Sequence, residues 1–204
     1  DSADEIVRWL SKADEVGHPY ATALLILDQE EMQNDGLELL NLAAEGGHPL
    51  AFVYLSLIAL EQGKVEESLR YATAAAKAGE PYGFNNLGAA YLSVEDKRAF
   101  KNYRRAADYE VPVAYYGLAM CYLSGLGVEE SEKAAFDHAL KGARLGDAEC
   151  QAFVGWSYLH GGEGVERDKE RAIEWFKMSA EQGNLISIEE LEKLGHGVEE
   201  PEEE

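Results

Sequence analysis

Five histidines and two cysteines hold the chain's most evident capacity for metal binding or nucleophilic chemistry. The histidines are His18, His48, His138, His160 and His196. A zinc site built on one helix uses two histidines at i and i+4, so that successive turns face the same ion. No pair here has that spacing, and a metal centre has no local support. Neither Cys121 nor Cys150 belongs to a Cys-x-x-Cys pair, and the count excludes a disulfide-scaffolded small domain. The stretch "HGGEG", residues 160–164, has the glycine content of a phosphate cradle. It lacks the third glycine of Gly-x-Gly-x-x-Gly, lacks Lys-Ser/Thr, and follows a helical pattern where a cradle follows a strand. Ser157, in "GWSYL", lacks the Gly-x-Ser-x-Gly context of a nucleophile elbow and sits inside a helical run. Carboxylates are abundant, but most fall on outer faces or in the tail, and nothing pairs them for acid–base work. No catalytic, metal or cofactor residue is assigned, and the chain reads as a non-enzyme.

The totals narrow the partners. The chain has 204 residues, 46% apolar and 28% charged, the balance of a globular protein. Its formal net charge is −21. Phosphate repels such a surface, which argues against nucleic acid and against anionic membranes. A basic partner would be met faster. No apolar run reaches 18 residues, so no membrane insertion is expected, and the acidic start "DSADEIVRWL" is not a signal peptide. A soluble protein of a bacterial periplasm or cytoplasm is the expectation, with the compartment open because a chain whose leader has been cleaved starts in the same way.

The elements that would position any site follow from an internal repeat. Turn and small residue pair as Gly17/Ala21, Gly47/Ala51, Gly79/Gly83, Glu110/Ala114, Gly146/Cys150 and Gly183/Ser187. Four residues after each small position stand Leu25, Leu55, Leu87, Leu118, Val154 and Leu191; four beyond Leu87, Leu118 and Val154, in the last three full units, stand Tyr91, Tyr122 and Tyr158. Positions i, i+4 and i+8 form one stripe of a helix, helix A. A second helix, B, precedes each turn and ends on small pairs: Ala43/Ala44, Ala75/Ala76, Ala106/Ala107, Gly142/Ala143 and Ser179/Ala180. Ser131 and Asp168 stand where an N-cap belongs. A glycine after the small pair, as at Gly47, Gly79, Gly146 and Gly183, suits a left-handed C-cap, and Pro19, Pro49 and Pro81 suit the first position of the next helix. Length differences fall in the A–B loops "SGLGVEES" and "HGGEGVERD". One hairpin cannot bury its apolar face alone, and stacking does so. Residues 1–196 therefore read as one all-α, right-handed superhelical solenoid of stacked antiparallel helix pairs. A B-type capping helix spans 3–16. Repeats span about 17–46, 47–78, 79–109, 110–145 and 146–182. An A-type capping helix spans 184–195, and residues 197–204 form an acidic tail. Cys150 takes the small position and reads as a buried hydrophobe; Cys121, seven residues beyond that position in the previous unit, is too far along to bridge to it, so two free thiols are expected.

The unit "CQAFVGWSYLHGGEGVERDKERAIEWFKMSAEQGN", residues 150–184, resembles the Sel-one-like repeat family, a relative of the tetratricopeptide repeats. It carries that family's Leu-Gly-x2-Tyr-like, Gly-x-Gly-Val, Asp-x3-Ala, Trp-Tyr-like and Ala-Glu-Gln-Gly steps. The unit from Ala114 to Gly146 is nearly as close. Units one to three lack Gly-x-Gly-Val, and Gln29 and Ala59 replace the tyrosine, which brings them nearer to tetratricopeptide units. The resemblance, over residues 8–195, implies a binding scaffold in which offsets −1, +2, +6 and +9 from the small position line a concave face. Offset −1 is Tyr20, Leu50, Tyr82 and Val113. Offset +2 includes Asn85, Tyr116 and Ala152, and offset +6 includes Ala89, Met120 and Trp156. Tyr, Trp and Met anchor protein interfaces. The expected partner-binding residues are therefore Tyr82, Asn85, Tyr116, Met120 and Trp156, while the +9 leucines Leu60, Leu92, Leu123 and Leu159 read as packing. The expected occupant is a protein or peptide, basic in character. The role is that of an adaptor or regulator, or of an immunity-type inhibitor of a bacterial toxic effector; the resemblance implies both. A small-molecule or glycan-binding regulator is the alternative, and an enclosed pocket at Tyr116 and Trp156 would favour it. Lastly, "DKRAFKNYRRAA" gathers Lys97, Arg98, Lys101, Arg104 and Arg105, five of the chain's eighteen basic residues, on one B helix. Such a stripe is solvated, or receives an acidic partner or the chain's own tail.

Overall fold

The computed structural model describes residue 37 and residues 40–196. The expected helix at 3–16, the first repeat up to residue 36 and the tail at 197–204 lie outside the described residues. Every described element of regular structure is a helix, apart from an isolated antiparallel bridge between Gly162 and Val165. The chain divides into two compact units, the first ending at Tyr109 and the second starting at Glu110.

In the first unit, residues 40–45 are helical and lead into α1 (Pro49–Glu61), α2 (Val65–Lys77), α3 (Pro81–Leu92) and α4 (Arg98–Ala107). Helix α1 packs on α2, α2 on α3 and α3 on α4, while α1 also lies beside α3. The A-type helix α1, "PLAFVYLSLIALE", is apolar nearly all round, because it is covered from several sides at once. The B-type helices α2 and α4 keep one alanine stripe inside and charges outside. Leu40, Ala43, Ala51, Tyr54, Leu55 and Ile58 form a core cluster. Two glycines permit the close approach of neighbours. A Cβ on Gly83 would overlap the backbone of α2 at Ala76, and one on Gly88 would come within 2.7 Å of the Tyr103 ring. The buried Asn86 ties α3 to α1: its Nδ2 donates to Val53 O at 3.0 Å and to Ser56 Oγ at 2.6 Å.

The second unit holds α5 (Pro112–Ser124), α6 (Glu132–Arg144), α7 (Ala148–His160), α8 (Lys169–Ala180) and α9 (Leu185–Lys193). Each packs on the next, and α5 lies beside α7. A Cβ on Gly155 would come within 2.8 Å of the Phe176 ring, the same close approach that Gly88 allows to Tyr103. Phe176 joins Ala172, Ala180 and Leu191 in the core. Both cysteines are buried and free, as their places in the repeat required. Burial pushes the Cys121 thiol up to about 11 and raises that of Cys150 far above its usual range, the direction of structural and not of activated cysteines.

Loop length varies, but loop closure does not. Lys64 N donates to Ala59 O, Asp96 N to Tyr91 O, Ser131 N to Tyr122 O and Asp168 N to Tyr158 O, at 2.8 to 3.0 Å. Each acceptor lies eight residues after the small position of its helix A. The additional residues of the two long loops protrude between these shared anchor points. Ser131 and Asp168 cap their helices as expected, accepting from Ala134 N at 3.1 Å and Arg171 N at 3.0 Å. At the other turn Gly47, Gly79, Gly146 and Gly183 all adopt φ between 81° and 96°, and Glu110 is forced to φ 58° at the equivalent place.

Candidate functional site

The five residues expected to bind a partner fall into both units. In the first, Tyr82 is half-buried on α3, and Asn85 is only 7% exposed. Asn85 Nδ2 donates to Asn86 Oδ1 at 3.3 Å, and its own Oδ1 is buried without a hydrogen-bond partner. It belongs to a polar layer among Asn86, Ser56 and Val53 more than to an open surface. The reason is the neighbour: α1 supplies Ser56 at the height of Asn86 and draws the amide pair inward.

In the second unit, Tyr116 and Met120 are half-buried on α5, while Trp156 on α7 is 52% exposed. Met120 and Trp156 occupy the same repeat position on the adjacent helices α5 and α7. Trp156 is braced by His160, one turn on, with ring centroids 4.5 Å apart. The i, i+4 spacing of these two residues is the sequence signal for that contact. Tyr116 faces the start of α7: partial burial raises its hydroxyl pKa, and the nearby Glu149, Cys150 and Asp147 add to the effect. Glu149 is itself raised, first by desolvation and then by Asp147, against a 3.0 Å hydrogen bond from Asn184 Nδ2 that favours the anion. Gln182 Nε2 donates to Gln151 Oε1 at 2.8 Å, so the turn before α9 is tied to α7 by two side-chain bonds. Of the +9 leucines, Leu60, Leu92 and Leu159 are half-buried, and Leu123 is 37% exposed. Leu185 and Ile186 at the start of α9 are 73% and 58% exposed, the latter at offset −1 of its repeat.

Two open clefts are present among the described residues. One, of about 670 Å³, follows Gly63–Arg70; the other, of about 350 Å³, lies between α6 and the α7–α8 loop, against Phe136, Tyr158 and Arg171. Neither is lined by Tyr116 or Trp156. The described residues contain no group of three or more His, Cys, Asp or Glu placed to hold a metal ion. No described helix is long and apolar enough to cross a membrane. The loop "HGGEG" is a tight turn with Gly161 and Gly164 at φ 76° and 78°.

The model of the Sel1 repeat matches residues 33–48, 85–108, 112–147 and 148–184, more than half of the chain. The structure of a Sel1 repeat protein from Oxalobacter formigenes is similar over 94% of this chain and 84% of its own, at 26% identity and TM-score 0.67. A protein of Neisseria meningitidis is 25% identical over 88% of this chain and 46% of its own length. Chitin synthase regulatory factor 4 of Schizosaccharomyces pombe is 30% identical over 67% of this chain and 20% of its own. The chain thus spans less than half the length of these curated relatives.

Proposed function

The chain belongs to the Sel1 repeat family, and on that footing we propose that it is a non-catalytic scaffold that binds a partner protein or peptide through its A helices. The observation that carries this reading is the half-exposed Trp156 on α7, with the half-buried Met120 and Tyr116 on the neighbouring helix α5 of the same unit. A large aromatic held in water by a rigid neighbour is characteristic of an interface anchor, because little side-chain entropy is left to lose on binding. The fold supports the same reading: preformed helix pairs present a surface with no ordering cost. The acidic side chains Asp147 and Glu149 at the start of α7 favour a segment carrying Lys or Arg next to an apolar residue. The regulatory role named for the fission-yeast relative makes an adaptor or regulator the leading form of this scaffold. An immunity-type inhibitor of a basic toxic effector is the second form and rests on the family resemblance and the net charge. A small-molecule receptor finds less support, since neither of the two clefts described above is lined by Tyr116 or Trp156.

The test places a photo-cross-linking amino acid at position 156 and identifies what is captured in lysate of the source cells. Binding of the captured partner is then remeasured with Tyr116→Ala and Trp156→Ala, each checked for helicity. Loss of at least tenfold in affinity for both, or roughly 1.4 kcal/mol, is the expected result for an anchor. Unchanged affinity in both variants would remove these residues from the interface.

A further inference from the structure

Helix α4 breaks the charge rule that the other described B helices follow. Helices α2, α6 and α8 carry Glu66 and Glu67, Glu132, and Glu170 in their first turns, where the positive end of the helix dipole favours an anion. Helix α4 has no acid there and starts with Lys97 and Arg98. Elsewhere cations pair with carboxylates three or four residues away: Arg70 with Glu67, Lys133 with Asp137, Arg171 with Asp168 and Lys193 with Glu190. On α4 the residues three and four away from Lys101 are Lys97, Arg98, Arg104 and Arg105. Like charges at those spacings repel. Arg98 is neutralised by Asp96, whose carboxyl is drawn down to about 2 by the Arg98 side-chain and main-chain hydrogen bonds. Lys97, Lys101, Arg104 and Arg105 are exposed and have no ion pair among the described residues.

The arginines of this face are also held in place. Arg105 lies 4.0 Å over the Phe84 ring and Arg98 lies 4.1 Å over Tyr91, two contacts one heptad apart on both α3 and α4. Phe84 in turn stacks with the exposed Tyr109 at 6.3 Å and 6°. A guanidinium laid on an aromatic face keeps its N–H edge free for a carboxylate and loses little freedom when it binds one.

We propose that the α4 face bearing Lys97, Lys101, Arg104 and Arg105 docks an acidic segment of a partner protein. Its carboxylates would stand about 6 Å apart, as at every fourth residue of a helix or every second residue of an extended strand. The argument for this occupant is charge complementarity: residues 97–105 contain five cations and no carboxylate in a chain of net charge −21. A short acidic segment matches so confined a patch. A nucleic acid would carry its uniform charge past the patch and meet the surrounding acidic surface. This patch belongs to the first unit and Trp156 to the second, and the two readings stand or fall separately.

The experiment titrates the full chain into a fluorescein-labelled peptide of alternating Glu and Ala with four glutamates and follows anisotropy at low and moderate salt. Saturable binding is expected, weakened about tenfold or more in Lys101→Gln/Arg104→Gln and weakened on raising salt as screening dictates. The double variant is checked for helicity and for a thermal midpoint well above the assay temperature, so lost binding cannot be ascribed to unfolding. Arg105→Lys, which keeps the charge and loses the flat contact on Phe84, should weaken binding by a smaller factor. Trp156→Ala should leave it unchanged. Absent binding, equal binding by the double variant, or tighter binding of a single-stranded oligonucleotide of the same charge would each overturn the proposal.

Discussion

At Gly142 a single methyl group would stand 2.5 Å from Cys150 Sγ, 2.8 Å from Tyr115 Cβ and 3.1 Å from Pro112 O. Three elements meet there, and only one obstacle is a removable side-chain atom. Gly142→Ala should destabilise by about 1–3 kcal/mol, the cost of overpacking. Adding Cys150→Ala should recover only part of it, since Tyr115 and the main chain of α5 remain; urea midpoints of the three variants measure this. His138 offers a second residue-scale test. Its ring lies against Tyr122 at 5.2 Å and Tyr115 at 6.4 Å. Burial lowers its pKa below the usual value, and Lys141 adds to the effect. The unfolded chain then takes up a proton at higher pH than the native one. The stability owed to neutral His138 is full above about pH 6.5 and is lost as pH falls towards the native pKa. His138→Phe keeps the stacking and removes the titration. Its unfolding midpoint should change less between pH 7.5 and pH 5.5 than that of the parent.

The turns carry the element-scale predictions. Gly79 adopts φ 90° with open space around a would-be Cβ, so Gly79→Ala meets backbone strain and nothing else. The expected loss is about 1 kcal/mol. Glu110 already bears that strain at φ 58° in the equivalent turn. Glu110→Gly should stabilise by about 0.5 kcal/mol, the relief of strain less the extra freedom of glycine in the unfolded chain. Thermal melts of the two variants should therefore move in opposite directions. The repeat alignment placed Glu110 in register with the glycines, and its conformation follows from that register. The residue type alone pointed the other way.

For the whole molecule, the net charge of −21 outweighs its local pairs. The five ion pairs among the described residues each have at least one partner more than half exposed, and such pairs contribute little. Self-repulsion therefore dominates, and salt screens it. Raising NaCl from about 10 mM to about 150 mM shortens the screening length from roughly 30 Å to 8 Å. The melting temperature should rise by ~2–4 °C. A fall would mean that the surface pairs, and the arginine–aromatic contacts of α3 and α4 with them, matter more than the overall repulsion.

Among the described residues, the helices and their order were legible in the chain because they depend on local rules. A small residue, then Leu, then Tyr at four-residue steps makes one apolar stripe, Ser131 and Asp168 cap where their side chains reach the next N–H groups, and glycine takes the left-handed turn. The family was legible for the same reason, since a repeat restates those rules several times. Exposure at a given repeat position was not legible. Asn85 and Tyr116 share offset +2, yet Asn85 is drawn into the Asn86–Ser56 layer while Tyr116 stays half-open. Met120 and Trp156 share offset +6, and only the second stands clear, propped on His160. The period specifies which way a side chain points from its own helix. What covers it depends on the residues that the neighbouring helix brings to the same height, and only the packed structure decides that.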